Sequence, residues 1–386
     1  MSEIKVNSIK GVGASTAAIT VNNTDGTCTA NITNNLSNRN LLINGEFRVN
    51  QRGDQTGITS SSYTLDRWNL SPANGGTWSV SQSTDTPDGF ANSIKLDCTT
   101  ANTSLASGAY ILFRQKLEGQ DVQAFAKGTS SAKQFAVSFY VKTNKSGVYT
   151  VELRDNNNSR TCSKTFTVSD ANWNRYTLSF PADTTGAFNN NNNDSLQLNF
   201  WLGAGSTFTS GTLQTTWGSQ TNANRISSSN VNIADSTSNE WYITGVQLEV
   251  GSVATDFEHR SFADELLRCY RYFQILSSNT SAGLNQHSRY PILGNSTNSA
   301  IWYAYHKATM RVKPSLVKSG ITTSTMDIFN YSAGSTATFN NMVIAEGDEN
   351  HSQIVCTTTN NFAVAQIGSW RWSNNADCYF AVDSEL

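Results

Sequence analysis

Two carboxylates are candidates for chemistry because of where they fall. Glu46 lies in "NGEF" and Glu249 in "GVQLEV", stretches that read as the opening and closing strands of one β unit and so place both side chains on neighbouring terminal strands. With backbone oxygens added, such a pair could form the shell of a structural calcium ion, which takes about six to eight oxygen ligands. The same residues read more simply as two solvent-facing strand positions that bind nothing. A glycan hydrolase needs more, namely two carboxylates facing each other across a cleft with one pKa raised so that it can act as an acid. Glu46, Asp66, Glu118, Asp155 and Glu249 are available, but no spacing pairs them.

Other reaction types find no support. The chain contains no G-x-S-x-G, H-E-x-x-H, P-loop or dinucleotide fingerprint. Its six cysteines show no C-x-x-C spacing, and its four histidines are scattered, so zinc and redox readings fail and the thiols read as small apolar residues. The sequence is that of a protein that binds rather than one that catalyses. For a glycan, binding means aromatic faces stacked on sugar rings, with Asn, Asp and Gln bonding the hydroxyls. Trp68, Trp78, Trp201, Trp217, Trp241, Trp302, Trp370 and Trp372 are available, and most tryptophans in a β-sandwich are core. Trp217, in the polar "QTTWGSQT", is the one expected to be exposed as a platform.

The elements that must hold such residues are strands. Asn, Ser, Thr and Gly are abundant and charged residues make up only 15% of the 386, which favours short strands joined by polar turns over long apolar helices. Strand-like runs recur from Leu41 to Val250, among them "LLINGEFRV" (41–49), "QFAVSFYVKT" (134–143) and "EWYITGVQLEV" (240–250). In the second of these, Phe135, Val137, Phe139 and Val141 alternate with more polar neighbours, which puts one face in a core. About ten such strands predict an all-β sandwich or jelly roll over residues 41–258. Residues 1–40 carry too few large apolar side chains to bury a core and read as an N-terminal attachment arm.

One amphipathic helix interrupts this texture. In "SFADELLRCYRYFQIL", Phe262, Leu266, Leu267, Tyr270, Phe273 and Leu276 recur at spacings of three and four, with Ser261 as N-cap and Asp264 and Glu265 in the first turn. A linking helix over residues 259–278 follows, and its stripe needs a partner, either the sandwich or the same helix of another copy. Residues 279–386 return to β texture as a small C-terminal domain, where Ile301, Tyr303 and Tyr305 share one face of a strand. The formal charge of −2 gives no basic stripe for nucleic acid, and no apolar run is long enough for membrane insertion or a secretory signal. Synthesis and first folding in a cytoplasm are therefore expected.

Four stretches carry a resemblance. "NLLINGEFRVNQRG" (40–53) with "YTLDRWNL" (63–70), and "GVQLEVGSVATDFEHRSFADELLRCYRYF" (245–273), resemble the opening and closing signatures of a family of phage tail-fibre and related virion structural proteins, many from phages of marine bacteria and cyanobacteria. "SEIKVNSIKG" is similar to the start of fibre proteins from such phages. The resemblance implies a carbohydrate-binding-module-like jelly roll between the signatures, a homotrimer, a place on the virion and no catalysis. It implies docking on other virion proteins through residues 1–40 and recognition of a host-surface glycan by a tail fibre or tail-associated protein. A capsid-decorating or head-fibre protein is the alternative, and a polysaccharide-degrading spike a more distant one. Jelly-roll modules of this kind often hold a structural calcium through a carboxylate near each end, which points again to Glu46 and Glu249.

Overall fold

The alternation in residues 135–141 does what its period requires, and the side chains of Phe135, Val137, Phe139 and Val141 are all buried. The computed structural model describes residues 37–279, 286–296, 298–319, 326–358, 366–372 and 378–386, with residues 7–10, 12, 19–21, 24 and 28–30 nearer the N-terminus. Among these the fold is all-β. A six-stranded antiparallel sheet runs, edge to edge, Asn174–Phe180, Phe135–Thr143, Glu240–Val250, Ser93–Thr100, Thr77–Ser83 and Gln55–Ile58. A seven-stranded antiparallel sheet, Gly218–Ser219, Arg160–Val168, Gly147–Asp155, Asp194–Ala204, Tyr110–Glu118, Asn69–Ala73 and Ser62–Tyr63, faces it in a jelly-roll sandwich. One continuous core fills the space between them. At its centre Trp68 stacks on Phe113 with ring centroids 4.9 Å apart, and Phe200 and Trp241 pack beside them.

Residues 41–49, expected as a strand, form a turn instead. Asn44 and Phe47 both have φ in the left-handed region (59° and 57°), a conformation that breaks a strand and that Asn tolerates. The Asn44 side chain holds this turn by donating to the carbonyls of Val49 and Asp66 and accepting the Val49 N–H at 3.0 Å. The result drives Phe47 into the core. Of residues 1–40, the described part includes short strands at Ser8–Ile9, Ile19–Val21 and Cys28–Ala30, paired antiparallel. Most of the predicted arm lies outside the described residues.

The helix is shorter than its pattern. It spans Phe262–Tyr270, and Ser261 caps it by accepting the Asp264 N–H as expected. Phe273–Asn279 is a strand, pairing with Cys378–Asp383, which pairs in turn with Ser315–Ser319. The buried helix residues are Glu265 and Cys269 rather than the apolar stripe. The reason is local: the helix lies against the polar turn, where Glu265 accepts the Asn44 N–H and a bond from Arg260. A closed six-stranded barrel completes the chain, with neighbouring strands Gln286–Ser296, Ser299–Tyr305, His351–Thr358, Ser335–Gly347, Met326–Asn330 and Ile367–Trp372.

Charged groups, more than the helix, fasten this end to the sandwich. The Arg67 guanidinium is buried, pairs with the Glu385 carboxylate, donates to the Lys116 carbonyl at 2.6 Å and lies 3.4 Å over the Tyr272 ring. Arg52 reaches Asp383 at 3.0 Å and Glu385 at 3.3 Å. On the other side Glu118, fully buried, takes both prongs of Arg271 at 2.7 Å and the Tyr272 hydroxyl at 2.5 Å. Arg311 donates to the carbonyls of Ser384 and Glu385 and to that of Asn192. Burial opposes the charge on Arg67, yet Glu385 wins and raises its pKa.

Breaking a buried pair leaves an uncompensated charge, so Arg67→Met should lower the unfolding free energy by about 3–5 kcal/mol, read from the urea midpoint. Arg67→Lys, which keeps the charge and loses the fork, should recover only part of this. A loss below about 1 kcal/mol for the Met variant would be that of a surface pair and would count against the junction.

Candidate functional site

Trp217, the ring expected to be free, is committed internally. It is half-buried against Phe135, 5.5 Å between centroids, and its indole N–H donates to the Pro181 carbonyl at 2.9 Å. The Lys127 ammonium sits over its ring, 5.3 Å from the centroid. Trp68, Trp78, Trp201, Trp241 and Trp302 are buried. The side chains of Trp370 and Trp372 lie outside the described residues.

The five candidate carboxylates are each engaged by different donors. Glu249, buried, accepts the Thr255 N–H at 2.7 Å, the Thr255 hydroxyl at 2.8 Å and the Gln247 amide at 2.9 Å. Glu46 lies 3.1 Å from His259 Nδ1. Glu118 holds Arg271 and Tyr272, as described. Asp66 takes two bonds from Gln51, while burial raises its pKa. Asp155 binds Lys127 and Asn158. Glu249 thus faces amide and hydroxyl donors and Glu46 faces His259, so the two carboxylates are turned to separate partners. Among the described residues no group of three or more His, Cys, Asp and Glu is placed to hold a metal.

The closest thing to a cation shell is already filled by an amine. Lys127 Nζ, fully buried, lies 2.6 Å from Asp155 Oδ2, 3.0 Å from Asp183 Oδ2, 2.9 Å from the Thr185 carbonyl and 2.7 Å from that of Gly186. Arg160 braces Asp183 from outside at 2.8 Å. Burial works against the Asp183 charge, but bonds from Arg160 and Lys127 bring its pKa below the usual carboxylate value. Lys127→Met should strand Asp155, leave Asp183 to Arg160 alone and lower stability by about 3–5 kcal/mol at neutral pH, whereas a chelator should leave the native melting temperature unchanged. The Asp183 contribution, present above the unfolded carboxylate pKa of about 3.9, should fade as pH falls through its lower folded value. A chelator-sensitive native protein would contradict this assignment.

The predicted seam residues divide into three groups. Phe273 is buried within its own chain beneath the Arg52 guanidinium, 3.8 Å from its ring, so it does not form a contact between copies. Leu266 and Tyr270 are half-buried, and Lys307 lies 4.5 Å over the Tyr270 ring. Phe262 and Leu267 face outward, 47% and 54% exposed.

An exposed aromatic surface lies instead on the barrel. In the strand Ser299–Tyr305, Ala300, Trp302 and Ala304 point inward, small residues flanking a large one as a narrow barrel interior requires. Ile301, Tyr303 and Tyr305 therefore point out, with Tyr303 46% and Tyr305 81% exposed. Leu293 and Ile367 stand beside Ile301 in register, and with Leu276, Lys307 and the tyrosines they border a cavity of about 600 Å³. Gln353 donates to the Tyr303 hydroxyl at 2.6 Å, and His351 lies 6.4 Å from the Tyr305 ring. Rings held at i and i+2 on one strand face, with an amide and an imidazole alongside, can stack on a sugar and bond its hydroxyls. "IWYAY" is apolar on both faces, so its sequence marks the alternation without saying which face is outside.

No protein-family profile matches the chain, and no curated protein does. Solved structures with a similar arrangement include the enzymatically active domain of the bacteriophage CBA120 tailspike protein 4, at 14% identity and a TM-score of 0.28. That alignment covers 55% of this chain and 21% of the tailspike chain. A family 11 carbohydrate-binding module from Clostridium thermocellum, in complex with a β-1,3-1,4-mixed-linked tetrasaccharide, aligns at 12% identity over 54% of this chain and 98% of its own, TM-score 0.26. The CBM22-1 xylan-binding domain of Paenibacillus barcinonensis aligns at 12% identity over 56% and 96%, TM-score 0.27.

Proposed function

We propose that the chain is a phage virion protein, a tail fibre or tail-associated component, that docks through residues 1–40 and recognises a host-surface glycan. The observation that carries the recognition half is the outward pair Tyr303 and Tyr305 beside the barrel cavity. Large aromatic residues left this exposed on a strand face are costly unless something covers them. The resemblance of residues 40–70 and 245–273 to virion structural proteins supports the setting. The engagement of the five candidate carboxylates by separate donors is consistent with binding and not turnover. In this reading the junction orients the barrel as a tip, and several copies on one particle turn weak contacts into firm attachment.

The test uses the full chain on an array of host-surface glycans, together with its ability to block phage adsorption. Tyr303→Ala/Tyr305→Ala should weaken glycan binding, and competition with it, roughly thirtyfold, since each stacked ring contributes on the order of 1 kcal/mol. Native protein that binds no glycan and leaves adsorption untouched would overturn the reading.

A further inference from the structure

A second aromatic cluster, far from the barrel in sequence, lies on the outer face of the six-stranded sheet. Trp173 and Tyr242 meet edge to face, 6.3 Å between centroids at 71°, and both are half-buried. Each polar tip is tied to a carboxylate: the Trp173 indole N–H donates to Asp85 Oδ1 at 2.9 Å, and the Tyr242 hydroxyl to Glu240 Oε2 at 2.9 Å. The other oxygens of those carboxylates take ammonium groups, Lys142 on Asp85 and Lys95 on Glu240, both at 2.6 Å. Both lysines stand 5.7 Å from the Tyr242 ring centroid. Bonds from Lys142 and Lys95 lower the pKa of Asp85 and Glu240 respectively, so both carboxylates are ionised acceptors at neutral pH.

Strand register makes this a track. Lys142, Tyr242, Lys95 and Ser81 stand side by side on four adjacent strands, with Glu240, Asp97 and Ser79 in the neighbouring row. At about 4.8 Å per strand the row extends roughly 14 Å, the scale of an oligosaccharide. The turn that carries Trp173 is closed by Asp170, which accepts the Asn172 N–H and the Asn174 amide, both at 2.9 Å. The turn therefore does not need the indole. A large ring pinned at its polar tip, with ionised donors and acceptors alternating beside it, is pre-organised to bind a hydroxyl-rich ring.

We propose that this face binds a neutral oligosaccharide, with Trp173 as the stacking ring and Asp85, Lys142, Lys95 and Glu240 bonding hydroxyls. Three carboxylates, Asp85, Asp97 and Glu240, against the two lysines disfavour uronate or sialate chains. The inference rests on reading the chain as a glycan binder and adds a subsite separate from Tyr303 and Tyr305.

The experiment titrates the full chain with neutral gluco-, manno- and galacto-oligosaccharides and with polygalacturonate, following the Trp173 indole N–H resonance, assigned by its absence in Trp173→Phe. A neutral oligosaccharide should shift that resonance, Trp173→Ala should weaken its binding roughly tenfold, and Trp173→Tyr should retain part of it. Tyr303→Ala/Tyr305→Ala should leave the shift intact. An unmoved resonance while native protein still binds glycans through the barrel would overturn the subsite alone. Preferential binding of polygalacturonate at Trp173 would overturn its ligand class, and no glycan binding at either surface would overturn both readings together.

Discussion

The fold depends on one buried cation. Arg67 has its guanidinium in the protein interior, between the Glu385 carboxylate, the Lys116 carbonyl and the Tyr272 ring. A charge so placed costs several kcal/mol unless it is paired, and its main acceptor is Glu385, in the segment after Cys378–Asp383. The segment after Cys378–Asp383 must therefore return to the sandwich before the arginine is satisfied. Arg52, Arg271 and Arg311 add bonds around it, so four guanidinium groups hold residues 271–273 and 383–385, at the edge of the three-stranded sheet, against the sandwich. Because these bonds are directional, they fix an orientation as well as a contact.

The same economy explains what the carboxylates do. Glu118 clamps Arg271 and Tyr272, Asp155 and Asp183 enclose Lys127, and Glu152 takes two bonds from Arg225 at 2.7 and 2.8 Å where residues 205–232 cross the seven-stranded sheet. A sandwich with long polar loops cannot tie them down with apolar contacts alone. Buried ion pairs supply fixed attachment points.

Strands were legible in the sequence where β-branched and aromatic residues recur in short runs. Phe135–Thr143 and Glu240–Val250 fall within the runs 134–143 and 240–250. Residues 41–49 were not legible, since their turn depends on Asn44 bonding Val49 and Asp66, partners the local pattern does not show. The helix stopped early because Phe273 and Ile275 suit a strand as well as a helix, and pairing with Cys378–Asp383 decides between them. Trp217 was misread because a polar sequence neighbourhood says nothing about Phe135 or Lys127 across the fold. Trp173 sits in the equally polar "DANWN", where Asp and Asn turn residues place a large ring just ahead of an edge strand.

A rigid junction would serve the proposed recognition by the barrel face, since a recognition face that swings freely loses much of its binding free energy to ordering. Differential scanning calorimetry of the full chain tests this coupling most directly. If the arginine junction makes sandwich and barrel one cooperative body, the protein unfolds in a single transition whose calorimetric and van't Hoff enthalpies agree. Two resolved transitions, with the barrel melting ahead of an intact sandwich, would contradict it.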